Sequence, residues 1–465
     1  MAARRKKLLF INPVSEFRRG FLRSAGTKYP PLVYGILAAL TPDDWEIEIL
    51  DENFEDFEFH KADLVGLTGY TSSIYRAYEI AAVYREKKIP VVMGGIHVSM
   101  MPKEAIEHAD SVVVGEAESV WKNVIADFEK GKLQEFYYGS RLPLDQIPKA
   151  KHELFNKDYF VGSLLTTRGC PFDCSFCTVT AFNGSKYRMR PVEDVLDELE
   201  TIPQDKFFFI DDNIIGYSKQ SREHAKAIFQ GIIDRGIKKH WWSQASLNFA
   251  DDPEILRLAF ESGCRLIFMG IESEKTEGLE STNKKLNLKV GVDKYEAAFK
   301  KIHDAGIAVL GSFIFGLDTD TVEDLENRKN YIINSSIDCY QAGILTPMPG
   351  TRTYKEFDQA SRITHTNYPT DWQYYSVEDV TFKPEKMNGE QLKESMKKSW
   401  YELYGRKTMV RKFMKTLRAT KNIDSAIWAL STNISYRNMA TDLYGDEKFT
   451  IESLIGSLNM KLPEK

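Results

Sequence analysis

Short apolar stretches alternate with longer amphipathic stretches along the first 130 or so residues of the chain. We predict a helix from about residue 74 to 87 and strands at residues 8–11, 46–50, 63–68, 89–95 and 111–115. Strands that alternate with helices favour a parallel, doubly wound sheet, because each crossover helix returns the chain to the same edge. The pattern therefore predicts a Rossmann-like α/β domain over residues 1–135, with ligands outside the carboxyl ends of its strands.

The alternation stops over residues 136–160, where Pro143 and Pro148 are typical of a linker, and then resumes. Strand-like stretches followed by helical ones predict a partial or complete parallel (β/α)6 barrel over residues 161–360, whose active site lies at the carboxyl ends of the strands. Residues 361–465 are predicted to form a helical C-terminal subdomain. The barrel strands are predicted at residues 161–167, 207–211, 241–247, 265–270, 308–315 and 339–345.

Composition excludes several classes of protein. The formal net charge of −5 gives no basic field for nucleic acid. No run of 18 apolar residues could cross a bilayer, and the basic N-terminus leads into a short strand rather than a signal peptide. We therefore expect a cytoplasmic protein without a transmembrane segment.

Three of the five cysteines lie within eight positions: Cys170, Cys174 and Cys177. They directly follow the first predicted barrel strand, where a barrel active site belongs. Structural zinc takes four ligands, and no His or further Cys lies nearby in sequence. A cubane iron–sulfur cluster needs only three thiolates and keeps one iron open for chemistry. The spacing favours iron–sulfur over zinc, and the lone Cys264 and Cys339 are expected in the core.

The Cys-x3-Cys-x2-Cys spacing, with Phe176 before the last cysteine, resembles the loop of the radical S-adenosylmethionine (SAM) enzymes. Further motifs, in that family's order, resemble its branch with an N-terminal cobalamin-binding domain. In the predicted barrel these are Arg168-Gly169-Cys170-Pro171, Arg188-Met189-Arg190-Pro191, Phe208-Phe209-Ile210-Asp211-Asp212-Asn213, Met269-Gly270-Ile271-Glu272-Ser273, Phe315-Gly316-Leu317-Asp318-Thr319 and Thr346-Pro347-Met348-Pro349-Gly350-Thr351. In the first domain they are Gly94-Gly95-Ile96-His97, Pro102-Lys103-Glu104-Ala105 and Val114-Gly115-Glu116-Ala117-Glu118.

The resemblance implies a 4Fe–4S cluster on the three cysteines, with SAM bound at its open iron. Asp211 and Asp212 match the position that accepts hydrogen bonds from the SAM amino group, and the main chain of Phe176 would lie near the adenine. Glu272 and Ser273 would reach the ribose or methionyl part, and Arg188 would pair with the SAM carboxylate. The alternatives are a helix cap for the aspartates and structural ion pairs for Glu272 and Arg188.

The resemblance also implies cobalamin on the first domain. No Asp-x-His-x-x-Gly signature supplies a lower cobalt ligand, and His97 is expected on a loop near the corrin or its tail. The alternative is a domain kept for packing alone. The candidate cobalamin-binding residues are Thr68, Tyr70, Thr71, Ser72, Ser73, Gly94, Gly95, His97, Gly115 and Glu116.

The function implied is cleavage of SAM to a 5′-deoxyadenosyl radical, with cobalamin-dependent methylation of an unactivated carbon of a small molecule. An external one-electron reductant such as flavodoxin or ferredoxin is implied too. The rivals are a radical cyclase, an oxidoreductase or another group transferase of this architecture, and a non-catalytic iron–sulfur or corrinoid sensor or electron carrier. A basic amphipathic stretch around Met409 and Lys412 suggests peripheral membrane contact and a lipid-like substrate. Its alternative is a helix packed on the barrel.

Overall fold

The computed structural model describes residues 4–15, 28–440 and 449–456. Its first domain is a parallel six-stranded sheet with the strand order β2-β1-β3-β4-β5-β6. The strands are β1 (Lys7–Asn12), β2 (Glu46–Asp51), β3 (Leu64–Thr68), β4 (Val91–Gly94), β5 (Ser111–Val114) and β6 (Phe136–Tyr138). The helices between them are α1 (Leu32–Leu40), α2 (Ile74–Glu86), α3 (Ile96–Met100), α4 (Pro102–His108) and α5 (Trp121–Glu129).

Strand β1 shows why this sheet is covered on both faces. Leu8 and Phe10 point into one apolar cluster, with Trp121 of α5, while Leu9 and Ile11 point into another, with Ile74 of α2. All four strand side chains are at most 1% exposed. A strand buried on both faces has a continuous apolar sequence, which is typical of parallel sheets. The predicted doubly wound domain is confirmed.

Strand β6 lies just beyond the predicted end of this domain at residue 135. Its residues pair with β5, Val113 with Tyr137 and Val114 with Tyr138. A short edge strand with an exposed Tyr138 gives no apolar run in the sequence. The first part of the predicted linker therefore belongs to the sheet.

The second domain is a parallel six-stranded sheet with the order β14-β13-β12-β11-β10-β7, a partial barrel with free edges at β7 and β14. Its strands are β7 (Gly162–Leu164), β10 (Lys206–Phe209), β11 (His240–Gln244), β12 (Cys264–Glu272), β13 (Ala308–Phe315) and β14 (Cys339–Ile344), and β8 (Thr167–Arg168) and β9 (Arg188–Met189) form a separate antiparallel pair. The helices are α6 (Thr178–Phe182), α7 (Val192–Thr201), α8 (Lys219–Asp234), α9 (Pro253–Glu261), α10 (Thr276–Ser281), α11 (Lys285–Val290), α12 (Tyr295–Asp304), α13 (Val322–Asn334) and α14 (Arg352–Gln359).

Alternate residues of the barrel strands face opposite sides. Trp241 and Ile267 point outward into the main core, where they meet helices such as α8. Trp242 and Leu266 point inward instead. Local sequence fixes where the outer helices begin: the Asp252 side chain accepts hydrogen bonds from two backbone N–H groups of α9, next to Pro253 at its first turn. The predicted barrel with six parallel strands is confirmed.

The chain ends in the helices α15 (Gly389–Leu403), α16 (Arg406–Thr420), α17 (Ile423–Met439) and α18 (Ile451–Gly456). The apolar stripe of α16 faces protein, because Met409 is fully buried against α17 and α18. Lys412 of the same helix is buried and donates hydrogen bonds to backbone carbonyls at the end of α13 and just after it. The structure therefore shows α16 packed on the protein, which is the alternative to membrane contact. In the described ranges, every helix is too short or too polar to cross a membrane.

Candidate active site

The loop between β8 and α6 carries the three clustered cysteines. Gly169 begins it with φ +90°, and a Cβ there would lie 2.4 Å from the carbonyl oxygen of Lys186, so only glycine fits. The Ser175 amide donates to the carbonyl of Thr282 (3.0 Å), which ties the loop to the end of α10. These contacts hold the loop over the carboxyl ends of the barrel strands.

Cys170, Cys174 and Cys177 line one cavity of about 330 Å3 at this end of the barrel. Its wall also contains Phe176, Asp212, Gln244, Gly270, Glu272, Lys284, Ser312 and Gln341. None of the three thiols forms a disulfide. Burial raises the pKa of Cys170 to about 11 and that of Cys177 to about 12, because a thiolate is disfavoured away from water. Bound metal supplies the positive charge that stabilises such thiolates.

The donor set of this cavity fits an iron–sulfur cluster. Three thiols lie on its wall, and no histidine or fourth cysteine lies among its lining residues. No three His, Cys, Asp or Glu side chains in the described parts of the chain are gathered as a site for a single metal ion. Three thiolate ligands suit a cubane cluster with one iron left open, whereas structural zinc takes a fourth protein ligand.

Glu272 and Lys284 form a buried ion pair on the same wall, with Nζ and Oε1 2.7 Å apart. Glu272 has φ +63° at the end of β12, where the pairing with β13 shifts register. Strained backbone of this kind concentrates at functional sites. A Cβ at Gly270 would lie 2.2 Å from Oε1 of Glu272 and 2.6 Å from Nζ of Lys284. The ion pair of Glu272 and Lys284 therefore lies across β12 at Gly270, which has no side chain to block it.

Lys284 was not predicted from the sequence, since it lies outside the family motifs and outside any stretch with helical or strand periodicity. Burial lowers its pKa, but the charge of Glu272 outweighs this effect, and the net shift is upward. Its ammonium lies 6.0 Å from the ring centre of Phe176. A fixed positive charge therefore stands beside the thiols.

The two adjacent aspartates have different surroundings. Asp212 lines the cavity and accepts hydrogen bonds from the Gly169 amide (3.1 Å) and from Nδ2 of Asn183 (2.9 Å). Asp211 is fully buried and accepts from the amides of Thr166 (2.7 Å) and Thr167 (3.0 Å). Burial raises the pKa of Asp211 to about 6, against the opposing effect of these hydrogen bonds. Asp212 lines the cavity, whereas Asp211 is bonded to the backbone after β7, and the expected contact of Asp211 with SAM stays a prediction.

Ser273 and Arg188 also lie away from this cavity. Ser273 is fully buried, and its Oγ accepts from Nη2 of Arg328 (3.2 Å) and from the amide of Lys275 (3.0 Å). The Arg188 guanidinium donates to the carboxylate of Glu116 and to the carbonyl of Leu142 (2.7 Å). Both side chains therefore have partners within the protein, and their expected contacts with SAM stay predictions.

Glu116, a candidate cobalamin residue, belongs to a buried group of four charges between the two domains. Its carboxylate pairs with Arg188 and, at 3.3 Å, with Arg168, and Arg168 also pairs with Glu118. All four side chains are at most 14% exposed. Burial alone would raise the pKa of Glu118, but Arg168 outweighs it and the pKa is lowered. The group joins the loop after β5 to the strand that leads into Cys170.

His97 lies on helix α3 and not on a loop as expected, and its side chain is fully buried. Its ring nitrogens contact Oγ1 of Thr71 (3.2 Å) and Oε1 of Glu104 (3.3 Å), and its ring packs edge-on against Trp372. Glu104 also accepts from Nε1 of Trp372 (2.9 Å). The expected loop position of His97 is therefore wrong, and the histidine packs on the segment that follows the barrel, while its expected place near the corrin stays a prediction.

The carboxyl edge of β3 and β4 holds the other candidate cobalamin residues. Thr71, Ser72 and Ser73 form a buried turn, whereas Tyr70 is 62% exposed. Thr68 donates to the carbonyl of Gly94 (3.1 Å), and Gly95 has φ +99° beside it. Gly115, with φ +89°, donates its amide to Oγ of Ser99 (2.9 Å).

The sheet order adds a feature that the sequence analysis missed. The topological switch point of the first domain lies between β1 and β3, so Asn12 and Tyr70 flank its crevice. The order of strands cannot be read from their sequence alone. Helix α3 also contacts α6 of the cysteine loop, so this edge faces the barrel. An exposed tyrosine, glycines and a crevice that faces the cysteine loop fit a flat ligand held between the two domains.

Comparison with known proteins agrees with this geometry. The profile of the Radical SAM superfamily matches residues 164–332, and that of the B12 binding domain matches residues 18–125. The chain is 32% identical over 416 residues to the bacteriochlorophyllide d C-12(1)-methyltransferase of Chlorobaculum tepidum, which covers 86% of this chain and 88% of that protein. It is 29% identical over 351 residues to the hopanoid C-2 methylase of Rhodopseudomonas palustris, which covers 72% of this chain and 66% of that protein.

Among solved structures, the cobalamin-dependent SAM radical enzyme OxsB, with aqua-cobalamin and SAM bound, has the same fold. The TM-score is 0.68 at 13% identity, over 99% of this chain and 82% of that one. The chain therefore belongs to the radical SAM enzymes that carry an N-terminal cobalamin-binding domain. Its cofactors are a 4Fe–4S cluster, SAM and cobalamin, as the sequence predicted, and a non-catalytic sensor is not supported.

Proposed function

We propose that this enzyme methylates an unactivated carbon of an apolar small molecule, with SAM as the source of both the radical and the methyl group. The observation that carries the proposal is the placement of the cysteine loop against the carboxyl edge of the first domain, through α6 and α3. The names of the relatives from Chlorobaculum and Rhodopseudomonas, both methyltransferases, support it. The bound cofactors supply one-electron cleavage of SAM and delivery of the methyl group.

The residues of this chain supply binding, orientation and shielding. Cys170, Cys174 and Cys177 hold the cluster in this proposal, and the nearby ammonium of Lys284 offsets part of their negative charge. Asp212 is the carboxylate on the cavity wall that faces a cationic ligand, and its hydrogen bonds to Gly169 and Asn183 fix its orientation. Glu272 is held by its ion pair with Lys284 at the end of β12, where its carboxylate can accept hydrogen bonds from ligand hydroxyls.

Part of the cavity wall is apolar. Phe172, Phe176 and Phe268 contribute apolar surface to its wall beside the thiols. Exclusion of water protects a reactive intermediate from side reactions. We propose that an external reductant such as flavodoxin or ferredoxin delivers the electron.

Anaerobic reconstitution with iron, sulfide and cobalamin tests the proposal. With SAM and a reductant alone, we expect 5′-deoxyadenosine in the wild type and none in Cys170→Ala. The matched control is Cys264→Ala, a buried cysteine on β12 away from the cavity, which should keep this activity. With SAM labelled in its methyl group, we expect one S-adenosylhomocysteine and one labelled methyl group on cobalamin per bound cobalamin before any substrate is added. Release of 5′-deoxyadenosine without S-adenosylhomocysteine would contradict methyl transfer and favour a radical cyclase or oxidoreductase.

A further inference from the structure

A second chamber of about 510 Å3 lies inside the barrel, and its wall is mainly apolar, with Lys206, His240 and Asp424 as its charged or titratable residues. Phe208, Trp242, Leu266 and Leu310 form its strand side, and Trp428 and Tyr436 of α17 form its helix side. Phe208 and Trp242 stack with their ring centres 3.7 Å apart and an angle of 7° between their planes. The chamber therefore has broad, flat aromatic walls.

The partial barrel explains why this space exists. In a closed eight-stranded barrel, inward side chains from all strands fill the lumen. Here six strands leave a gap between the free edges β7 and β14. Helix α17 enters the inner side, where Ala429 packs against Leu266, Leu310 and Cys339. It fills part of the lumen, and the chamber is the remainder.

The chamber adjoins the cysteine cavity. Gln244, Phe268 and Gln341 line both spaces, on β11, β12 and β14. Along β12 the six residue-to-residue steps from Leu266, in the chamber, to Glu272, in the cysteine cavity, span about 20 Å at the usual rise of a strand. A molecule that extends from the Leu266 end of the chamber to the thiols is therefore elongated.

The outer rim of the chamber carries exposed apolar side chains. Tyr29 is 37% exposed, Phe160 is 51% exposed and Ile427 is 40% exposed, and all three line the chamber. Exposed apolar residues that cluster at the rim of a cavity are typical of ligand-binding grooves. This rim lies toward the amino-terminal ends of the barrel strands, where Tyr29 of the first domain packs edge-on against Phe208.

We propose that the chamber binds the apolar ring system of the substrate, with the carbon to be methylated extended past Gln244 and Gln341 into the cysteine cavity. This inference rests on the proposed function and adds the substrate class to it. Aromatic walls bind rigid apolar rings through area and stacking, at little cost in conformational entropy. The two glutamines offer amide groups that can position a polar edge on the wall that the chamber shares with the cavity.

Energy transfer from tryptophan tests this inference, since Trp242 and Trp428 stand in the chamber wall. The probes are chlorin e6, a planar conjugated ring system, and dehydroergosterol, a largely saturated one. We expect saturable binding of at least one probe to the reconstituted enzyme. Ser431→Phe, which places a ring in the chamber, should weaken that binding at least tenfold. The control is Ser453→Phe, on an exposed position of α18, with binding within twofold of the wild type.

Ile427→Ser provides a second variant that leaves the core intact, because Ile427 is exposed at the rim. We expect it to weaken binding three- to tenfold with an unchanged melting temperature. Binding of one probe only identifies the planar or the saturated class and supports the chamber. If neither probe binds saturably, or Ser431→Phe and Ile427→Ser bind as the wild type does, the inference is overturned. Release of 5′-deoxyadenosine by Ser431→Phe without substrate reports separately on the proposed function, and it should equal that of the wild type.

Discussion

Glu116 neutralises two arginines at once, and the replacement Glu116→Gln leaves a buried group of two guanidiniums with a single carboxylate. Its Oε2 lies 2.9 Å from Nη1 of Arg188 and 3.3 Å from Nη1 of Arg168. Glutamine keeps the shape but not the charge. Loss of one partner from a buried pair costs about 3–5 kcal/mol, because the remaining charge has no water around it. For a chain of 465 residues that unfolds as one unit, this corresponds to a melting temperature lower by about 3–5 °C.

The same substitution should separate the two halves of the reaction. SAM cleavage depends on the barrel, whereas methyl transfer depends on the alignment of the first domain with the barrel. We therefore expect Glu116→Gln to release more 5′-deoxyadenosine per methylated product than the wild type. The control is Asp304→Asn, whose partner Lys300 is 72% exposed, and it should change neither quantity. A stability loss below about 1 kcal/mol, with an unchanged product ratio, would refute the assigned role of this group.

Three further substitutions address other parts of the molecule. Gly95→Ala places a methyl group 2.1 Å from Oγ1 of Thr68 at φ +99°, so we expect weaker cobalamin binding, measured by optical titration, while SAM cleavage persists. Lys284→Met should slow SAM cleavage at least tenfold, measured as 5′-deoxyadenosine release, because Glu272 loses its partner; an unchanged rate counts against its role. Burial lowers the pKa of Lys412 to about 7, below its unfolded value of 10.5, so its unfolded state binds more protons between these values. Stability should then rise with pH in that window by up to about 1.4 kcal/mol per unit relative to Lys412→Met, measured by chemical denaturation, and equal slopes would contradict this.

The sequence predicted those parts of the fold that rest on local patterns. Apolar strands such as β1 are buried on both faces, so the continuous run of apolar residues was enough to predict where they lie in the sequence. The cysteine loop was equally clear, because its spacing reflects a short loop that closes on one centre. Strand β6 was missed, since a three-residue edge strand carries no apolar run.

The site residues that were placed differently all depend on tertiary contacts. Asp211 and Asp212 are adjacent in sequence, and only the turn after β10 decides which of them faces the cavity. Arg188 matches a family motif, yet its partner Glu116 comes from the other domain and is 72 residues away. Lys284 lies in no motif, and it became visible only when α10 and α11 were folded against β12. Ion pairs between residues far apart in the sequence do not change the hydrophobic periodicity of either segment, so a sequence pattern does not predict them.

The contacts of Trp372 affect how this enzyme folds while it is being synthesised. Its indole N–H donates to Glu104, and its ring packs against His97, so a residue from beyond the barrel completes the core of the first domain. The N-terminal domain leaves the ribosome long before that residue is made. Until that residue is made, one apolar face of the domain is incomplete. Excision of residues 1–139, which keeps strand β6, should therefore yield a fragment prone to aggregation. Domain exchange between relatives would have to carry the segment around Trp372 along with the first domain.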